Sequence, residues 1–170
     1  CRRIGWRFTS VLGDIEQGFR EADRIFEDRF STQHVHQTYL EPHSSVVSID
    51  RDTGTIHVWV SNKVPYNTKN SLADAISVPA DKIVIHVSTI GGDFGGKGAL
   101  MDLPLCYFLA QRLNRPVRMV MTYTEELTAA NPRHAAQIVV KTGVKKDGRI
   151  TARQIKVYWN GGAYGAMKPI

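Results

Sequence analysis

The stretch Lys82-Ile-Val-Ile-His-Val-Ser88, followed by Gly91-Gly-Asp-Phe-Gly-Gly-Lys97, decides how the centre of this 170-residue chain folds. Its first part is rich in β-branched residues and predicts a strand, and residues 100–113 beyond the loop have the apolar spacing of a helix. Four glycines in seven residues permit positive φ values and a close approach of other groups to the backbone. The loop therefore predicts either a tight strand-to-helix turn or a site where a ligand lies against the backbone.

A glycine-rich loop at a helix N-terminus would direct free N–H groups, and the positive end of the helix dipole, at an anion. The spacing here matches neither the Gly-x-Gly-x-x-Gly dinucleotide fingerprint nor the phosphate-binding loop that ends in Gly-Lys-Ser/Thr, because Gly98 follows Lys97. The loop by itself indicates binding without naming the ligand.

The regions on either side of the loop predict alternating strands and helices. Strands are predicted at 24–30, 55–61, 82–88 and 117–121, and helices at 13–23, 67–77 and 100–113. The segments 136–142 and 150–159 flank the turn signal Asp147-Gly148 and predict a hairpin. We therefore expect an α+β fold: a mixed β-sheet with two main helices packed on it and a C-terminal β-hairpin. The buried stripe of the 100–113 helix is predicted to be Met101, Leu105, Phe108 and Leu109.

Composition narrows the class of protein. Apolar residues make up 42% and charged residues 22%, which is ordinary for a globular protein, and no apolar run approaches the ~20 residues that span a bilayer. The net charge is +6, but basic and acidic residues are interleaved, which favours a solvated surface over nucleic-acid binding. Two cysteines are too few for a disulfide scaffold, so the cytoplasm is the expected location.

Two other groups of residues are candidate sites. His34, His36, Glu41 and His43 lack a recognised metal-ligand spacing, and buried hydrogen bonds for Glu41 and His43 are the favoured alternative. Arg133 follows a short helical stretch, where an anion contact is possible but pairing with backbone carbonyls is favoured.

Five segments, taken together, resemble one family in the same order and at similar spacing. They are residues 40–43, 60–61, 78–80, 91–97 and 114–118. The family is the molybdenum hydroxylases, which include xanthine dehydrogenase, aldehyde oxidase and the large subunit of aerobic carbon monoxide dehydrogenase, and the resemblance runs from about residue 14 to the end. In that family the glycine-Phe-glycine loop contacts molybdopterin. Matched by position, the residues expected against the pterin and the metal's oxo ligand are Gly92, Asp93, Phe94, Gly95 and Gly96.

The resemblance also implies a domain organisation and a reaction. Residues 1–33 would be the end of a preceding small domain plus a linker, and residues 34–170 the N-terminal part of the molybdopterin-binding domain. The enzyme would hydroxylate a carbon of a small-molecule substrate with oxygen from water. Electrons would pass through iron–sulfur clusters to FAD, both on other domains or subunits, and the remainder of the molybdenum subunit would be a further partner. The pterin would hold the metal, so neither protein metal ligands nor catalytic residues are expected here, and the family's catalytic glutamate would lie beyond Ile170.

Two positions depart from the family. Lys63 stands where the family usually has a glutamine that contacts the metal's oxo ligand, and its ammonium is expected to contact the cofactor while adding a positive charge. Gly98 stands where purine-oxidising members have a substrate-binding glutamate, which makes xanthine an unexpected substrate. Two alternatives therefore stay open: a non-enzymatic module that binds an anion or a protein partner, and a family member altered at the metal site.

Overall fold

The computed structural model describes residues 7–162, which fall into two compact units. One unit is built from both ends of the chain, up to His34 and from His134 onward, and the other is Val35–Arg133. The helices are α1 (Ile15–Arg20), α2 (Pro65–Ile76), α3 (Leu103–Leu113) and α4 (Tyr123–Ala129), with a 3-10 turn at Ala80–Lys82. The strands are β1 (Arg24–Ser31), β2 (Ser44–Ile49), β3 (Ile56–Val60), β4 (Ile83–His86), β5 (Val117–Val120), β6 (Ala135–Val144) and β7 (Ile150–Asn160). No helix among these residues is long and apolar enough to cross a membrane.

The unit built from the chain ends is a three-stranded antiparallel sheet with the order β1-β6-β7. Helix α1 is capped by the Asp14 carboxylate, which accepts the Gln17 N–H at 2.9 Å. The helix lies close to β7 because Gly18 lacks a side chain: a Cβ there would lie 2.5 Å from the Thr151 carbonyl oxygen. The predicted hairpin is therefore present as β6 and β7, and it shares its sheet with β1.

The Val35–Arg133 unit has a four-stranded mixed sheet with the order β4-β3-β2-β5, in which only the β3–β4 pair is parallel. Helices α2 and α3 pack on one face. Alternation in β3 places Ile56 and Val58 in the core, with exposed fractions of 2% and 0%, and leaves Trp59 40% exposed on the other face. These observations confirm the predicted α+β fold with two main helices on a mixed sheet.

The predicted buried stripe of α3 is wrong. Leu105, Phe108 and Leu109 are 52%, 48% and 37% exposed, and Met101 precedes the helix with a φ of 50°. The residues that face the sheet are instead Leu103, Cys106, Tyr107 and Ala110. Both sets have helical spacing, so periodicity could not select between them, and the side on which the sheet lies made the choice.

The position of α3 also changes the interpretation of the glycine loop. The helix begins at Leu103, six residues after Lys97, with Pro104 in its first turn. The loop is therefore not the N-terminus of a helix, and the helix dipole does not act directly on a ligand bound there.

The compact units divide the chain differently from the predicted domains. The sequence places one boundary after residue 33, whereas the structure has a second division between Arg133 and His134, because β6 pairs with β1 along its length. The assignment of residues 1–33 to a preceding small domain stays a prediction.

Candidate functional site

The segment 91–97, here called the glycine loop, is folded around the carboxylate of Asp93. Its Oδ2 accepts the Gly95 N–H at 2.9 Å and its Oδ1 accepts the Lys97 N–H at 2.5 Å. The Asp93 carbonyl accepts the Gly96 N–H at 2.8 Å. Within residues 7–162, the N–H groups of Gly92, Asp93 and Phe94 have no acceptor. The free donors of the loop are thus confined to its first half.

The glycines of the loop are required for different reasons. A Cβ at Gly96 would lie 2.5 Å from Cε1 of Tyr39, and a Cβ at Gly92 would lie 2.9 Å from Cβ of the same residue. Gly91 is similarly close to Glu41, at 2.7 Å. Gly92 and Gly95 both have a positive φ, of 102° and 92°, and at Gly95 the Cβ position has no atom nearer than Nη2 of Arg133 at 3.8 Å. Three glycines therefore permit packing on residues 39–41, whereas a Cβ at Gly95 would make only an ordinary van der Waals contact, with Arg133.

Phe94 lies at the tip of the loop. Its φ is 45°, which is unusual for an aromatic residue, and its side chain is 64% exposed. Arg133 donates from Nη2 to the Phe94 carbonyl at 2.7 Å, which is the backbone-pairing role that the sequence favoured for this arginine. The Phe94 ring is thus largely exposed, and its own packing does not account for the unusual backbone conformation of this residue.

Lys63 reaches the glycine loop. Its Nζ lies 3.1 Å from Oδ2 of Asp93, and its backbone N–H donates to the Lys97 carbonyl at 3.0 Å. Partial burial raises the pKa of the Asp93 carboxyl, but the two loop N–H groups and the Lys63 ammonium lower it further, so the pKa lies below its ordinary value of 3.8. The contact of Lys63 with a cofactor stays a prediction.

Beneath the loop, Lys97 is completely buried. Its Nζ lies 2.5 Å from Oε2 of Glu41 and 4.7 Å from the centroid of the Tyr39 ring. The same Oε2 accepts the Gly91 N–H at 2.7 Å and the Ser61 hydroxyl at 2.8 Å. Partial burial raises the pKa of the Glu41 carboxyl, but these three donors outweigh that effect and hold the pKa below its ordinary value.

A second carboxylate, Glu126, is fully buried and was not among the residues singled out in the sequence. It is 0% exposed and accepts the Tyr39 hydroxyl at 2.5 Å, the His43 N–H at 2.6 Å and Nδ1–H of His43 at 2.9 Å. Burial raises its pKa, but these donors lower it further, so the carboxylate stays ionised. Burial, followed by the hydrogen bond to Glu126 and the Glu126 charge, raises the pKa of the Tyr39 phenol. No sequence pattern pointed to Glu126, because all of these partners lie more than 80 residues away in the chain.

The histidine-rich segment does not converge on one point. His43 and His36 face Glu126, while Glu41 faces Lys97, and His34 belongs to the unit built from the chain ends, where it lies near the carbonyl of Asn160. Thr38 donates its N–H to Nδ1 of His36, so the His36 proton is on Nε2. Across residues 7–162, no group of three or more His, Cys, Asp or Glu side chains could hold a metal ion. His43 makes buried hydrogen bonds, as the sequence favoured, whereas those of Glu41 are only partly buried.

Comparison with known proteins identifies the family to which this geometry belongs. The family described as the molybdopterin cofactor-binding domain matches residues 3–170. The chain is 33% identical over 157 residues to the nicotinate dehydrogenase large molybdopterin subunit of Eubacterium barkeri, covering 92% of this chain and 37% of that protein. It is 33% identical over 152 residues to the xanthine dehydrogenase of Emericella nidulans, covering 88% of this chain and 11% of that one.

Solved structures show the same fold. Reconstituted CO dehydrogenase from Oligotropha carboxidovorans superposes with a TM-score of 0.76 at 25% identity, over 84% of this chain and 18% of that one. The aldehyde oxidoreductase from Desulfovibrio gigas gives a TM-score of 0.75 at 22% identity, over 81% of this chain and 15% of that one, and supports the fold alone. The chain thus spans little more than a third, or less, of the length of these proteins. The resemblance found in the sequence is confirmed: this chain belongs to the molybdopterin cofactor-binding domain family.

Proposed function

We propose that this chain supplies the glycine loop against which molybdopterin binds, within a molybdenum-dependent oxidoreductase of the xanthine dehydrogenase and aldehyde oxidase type. The observation that carries the proposal is the open side of the loop. There, three consecutive N–H groups have no acceptor among residues 7–162, Phe94 is 64% exposed, and Gly95, the next residue, has no side chain.

The residues at this open side fit an anionic, partly aromatic group. The N–H groups of Gly92, Asp93 and Phe94 would donate to its acceptor atoms, and the Phe94 ring offers an apolar surface. Lys63 lies beside them, with its Nζ 3.1 Å from the loop carboxylate of Asp93, which balances its charge. These residues bind and orient, and none of them is assigned a proton-transfer role.

When bound, the molybdenum centre would supply the hydroxylation of a substrate carbon with oxygen from water and would take up two electrons. Iron–sulfur and flavin domains or subunits would carry those electrons onward, and the rest of the molybdenum subunit would complete the site. The substrate is a small molecule, and Gly98 in place of the glutamate of purine-oxidising members argues against xanthine.

Metal analysis of the full-length protein, purified with its partners, tests the proposal. We expect molybdenum and extractable pterin in the wild-type protein. Gly95→Val should lose both, because a β-branched side chain would be strained at a φ of 92° and would fill the open space, while α3 keeps its helical signal. A matched control is Gly148→Val, a positive-φ glycine in the turn between β6 and β7, which should retain molybdenum. A wild-type protein without molybdenum or pterin would favour the non-enzymatic binding module instead.

A further inference from the structure

Lys97 is the residue of the glycine loop that the proposed function leaves unused. A lysine at the end of a glycine-rich loop often binds phosphate. Here the side chain is completely buried, and its ammonium is engaged by Glu41 and by the face of Tyr39. It has no open path to a ligand bound above the loop. The function of Lys97 therefore depends on its contacts within the protein.

Glu41 joins the two ends of the loop through a single atom. Oε2 accepts the N–H of Gly91, the first loop residue, and the ammonium of Lys97, the last one. Ser61, next to the end of β3, donates its hydroxyl to the same atom. Because one carboxylate oxygen holds both ends, the span of the loop is set by this atom.

We propose that the Glu41–Lys97 ion pair is a latch that positions the glycine loop, so that Glu41 and Lys97 act on the cofactor only through the conformation of Gly92, Asp93 and Phe94. The proposal rests on the proposed function for its consequence, cofactor binding, but the latch itself is a property of the chain. The Lys97 side chain is 0% exposed and that of Glu41 is 33% exposed, so removing Glu41 is costly because it leaves a buried ammonium unpaired.

The latch makes a prediction that a direct ligand contact does not make. If Glu41 and Lys97 act through each other, removing either charge has nearly the full effect, and removing both adds nothing further. If Lys97 bound the cofactor by itself, Glu41→Gln would be mild, Lys97→Met severe, and their effects independent.

The test compares Glu41→Gln, Lys97→Met and the double variant in the full-length protein. Amide hydrogen exchange of residues 91–97 is measured by mass spectrometry in cofactor-free protein, and molybdenum per subunit is measured in cofactor-loaded protein. In each single variant the amides of residues 91–97 should exchange on the order of tenfold faster or more than in the wild type, with a matching loss of molybdenum. In the double variant they should exchange no faster than in the more affected single variant. The exposed-charge controls Asp74→Asn and Lys156→Met should match the wild type.

Two results would overturn the latch. One is independent effects, in which the two single-variant accelerations multiply in the double variant. The other is loop exchange that stays at the wild-type rate in Glu41→Gln. Should the charge variants not fold, Ser61→Ala removes one donor to Oε2 and should accelerate loop exchange about twofold to fivefold, with α3 unchanged, and no acceleration would again overturn the latch. A wild-type protein that lacks molybdenum would contradict the proposed function, while exchange in that same protein would still test the latch.

Discussion

At the residue scale, the glycine loop combines two kinds of glycine. Gly96 is required because the Tyr39 ring lies under it, whereas Gly95 is required by its positive φ and faces open space. A substitution at Gly96 should therefore act through packing, and one at Gly95 through backbone strain and obstruction of the open side.

We predict that Gly96→Ala destabilises the protein by about 1–3 kcal/mol, because its methyl group would lie 2.5 Å from Cε1 of Tyr39. The loss should shrink in a Tyr39→Leu background, which removes that ring atom. Gly95→Ala is the matched control, since its cost, about 1–2 kcal/mol of strain, should be the same in both backgrounds. Chemical unfolding of the four variants and their parents measures this, and an equal loss for Gly96→Ala in both backgrounds would contradict the packing explanation.

The Lys63–Asp93 pair gives the loop a pH dependence of known sign. A carboxyl whose pKa is lowered by folding stabilises the folded state above its ordinary pKa, and this stabilisation is lost as the pH falls through the folded-state value. The ordinary value is 3.8 and the folded-state value lies below it, so the Asp93 contribution is complete at neutral pH and disappears in acid.

We predict that Lys63→Gln raises the pKa of the Asp93 carboxyl, so that loop protection is lost at a higher pH than in the wild type. The side chain of Lys63 is 36% exposed, so the effect on overall stability should stay below about 1 kcal/mol. Carbon-13 NMR titration of the carboxyl measures the shift. Asp50, whose pKa is lowered chiefly by donors from Thr53, is the internal control and should not change. An unaltered Asp93 titration would mean that the pair does not form in solution.

At the element scale, α3 shows that apolar residues with helical spacing are not necessarily the ones that are buried. Leu103 is 0% exposed against the sheet, whereas Leu105 is 52% exposed, although both belong to the first turn. Leu103 packs with the core residues of β2 and β3, so a truncation there leaves a cavity.

We predict that Leu103→Ala lowers the free energy of unfolding by about 2–5 kcal/mol, because a buried side chain is removed from a closely packed core. Leu105→Ala, the same substitution two residues away, should cost less than about 1 kcal/mol. Urea unfolding followed by helical circular dichroism gives both values. Similar losses for the two variants would contradict the burial of Leu103 and exposure of Leu105, and a larger loss at Leu105 would favour the face predicted from the sequence.

At the scale of the whole molecule, one sheet presents an apolar face. Phe26, Phe30, Ile155 and Trp159 lie on the side of the β1-β6-β7 sheet opposite to α1 and are 50%, 55%, 57% and 58% exposed. Contiguous apolar surface of this kind is unusual on a monomer and promotes association. The relatives that this chain resembles are more than twice its length.

We predict that the isolated 170-residue chain folds, because the Val35–Arg133 unit has a contiguous buried core, but self-associates in a concentration-dependent way. Phe30→Ser with Ile155→Ser should reduce the association, whereas Lys156→Ser, on the opposite face of β7, should not. Sedimentation velocity measures the distribution of monomer and oligomers, and a monomer at all concentrations would contradict the prediction.

The chain alone should also oxidise no aldehyde or N-heterocycle, since the resemblance assigns the catalytic glutamate to a segment outside this sequence.

The sequence by itself determined the family, the α+β class and the order of the elements. Strand alternation in β3, the Asp14 cap of α1 and the turn signal of the hairpin are local properties, which adjacent residues encode through backbone geometry. The glycine-rich segment 91–97 could also be recognised in the sequence, because special backbone conformations require particular residue types. The roles of its residues and of Lys63 toward a cofactor stay predictions.

Only the tertiary structure decided which face of α3 is buried, how β1 pairs with β6, and what lies under the loop. The Glu41–Lys97 contact joins residues 56 apart, and the Tyr39–Glu126 contact joins residues 87 apart. Such pairings depend on how the sheet brings distant segments together, and no local pattern encodes them. The glycines looked from the sequence like a surface for a ligand. In the fold, most of them lie against side chains of the protein itself, because interiors are closely packed and residues distant in sequence occupy the space beside the glycines.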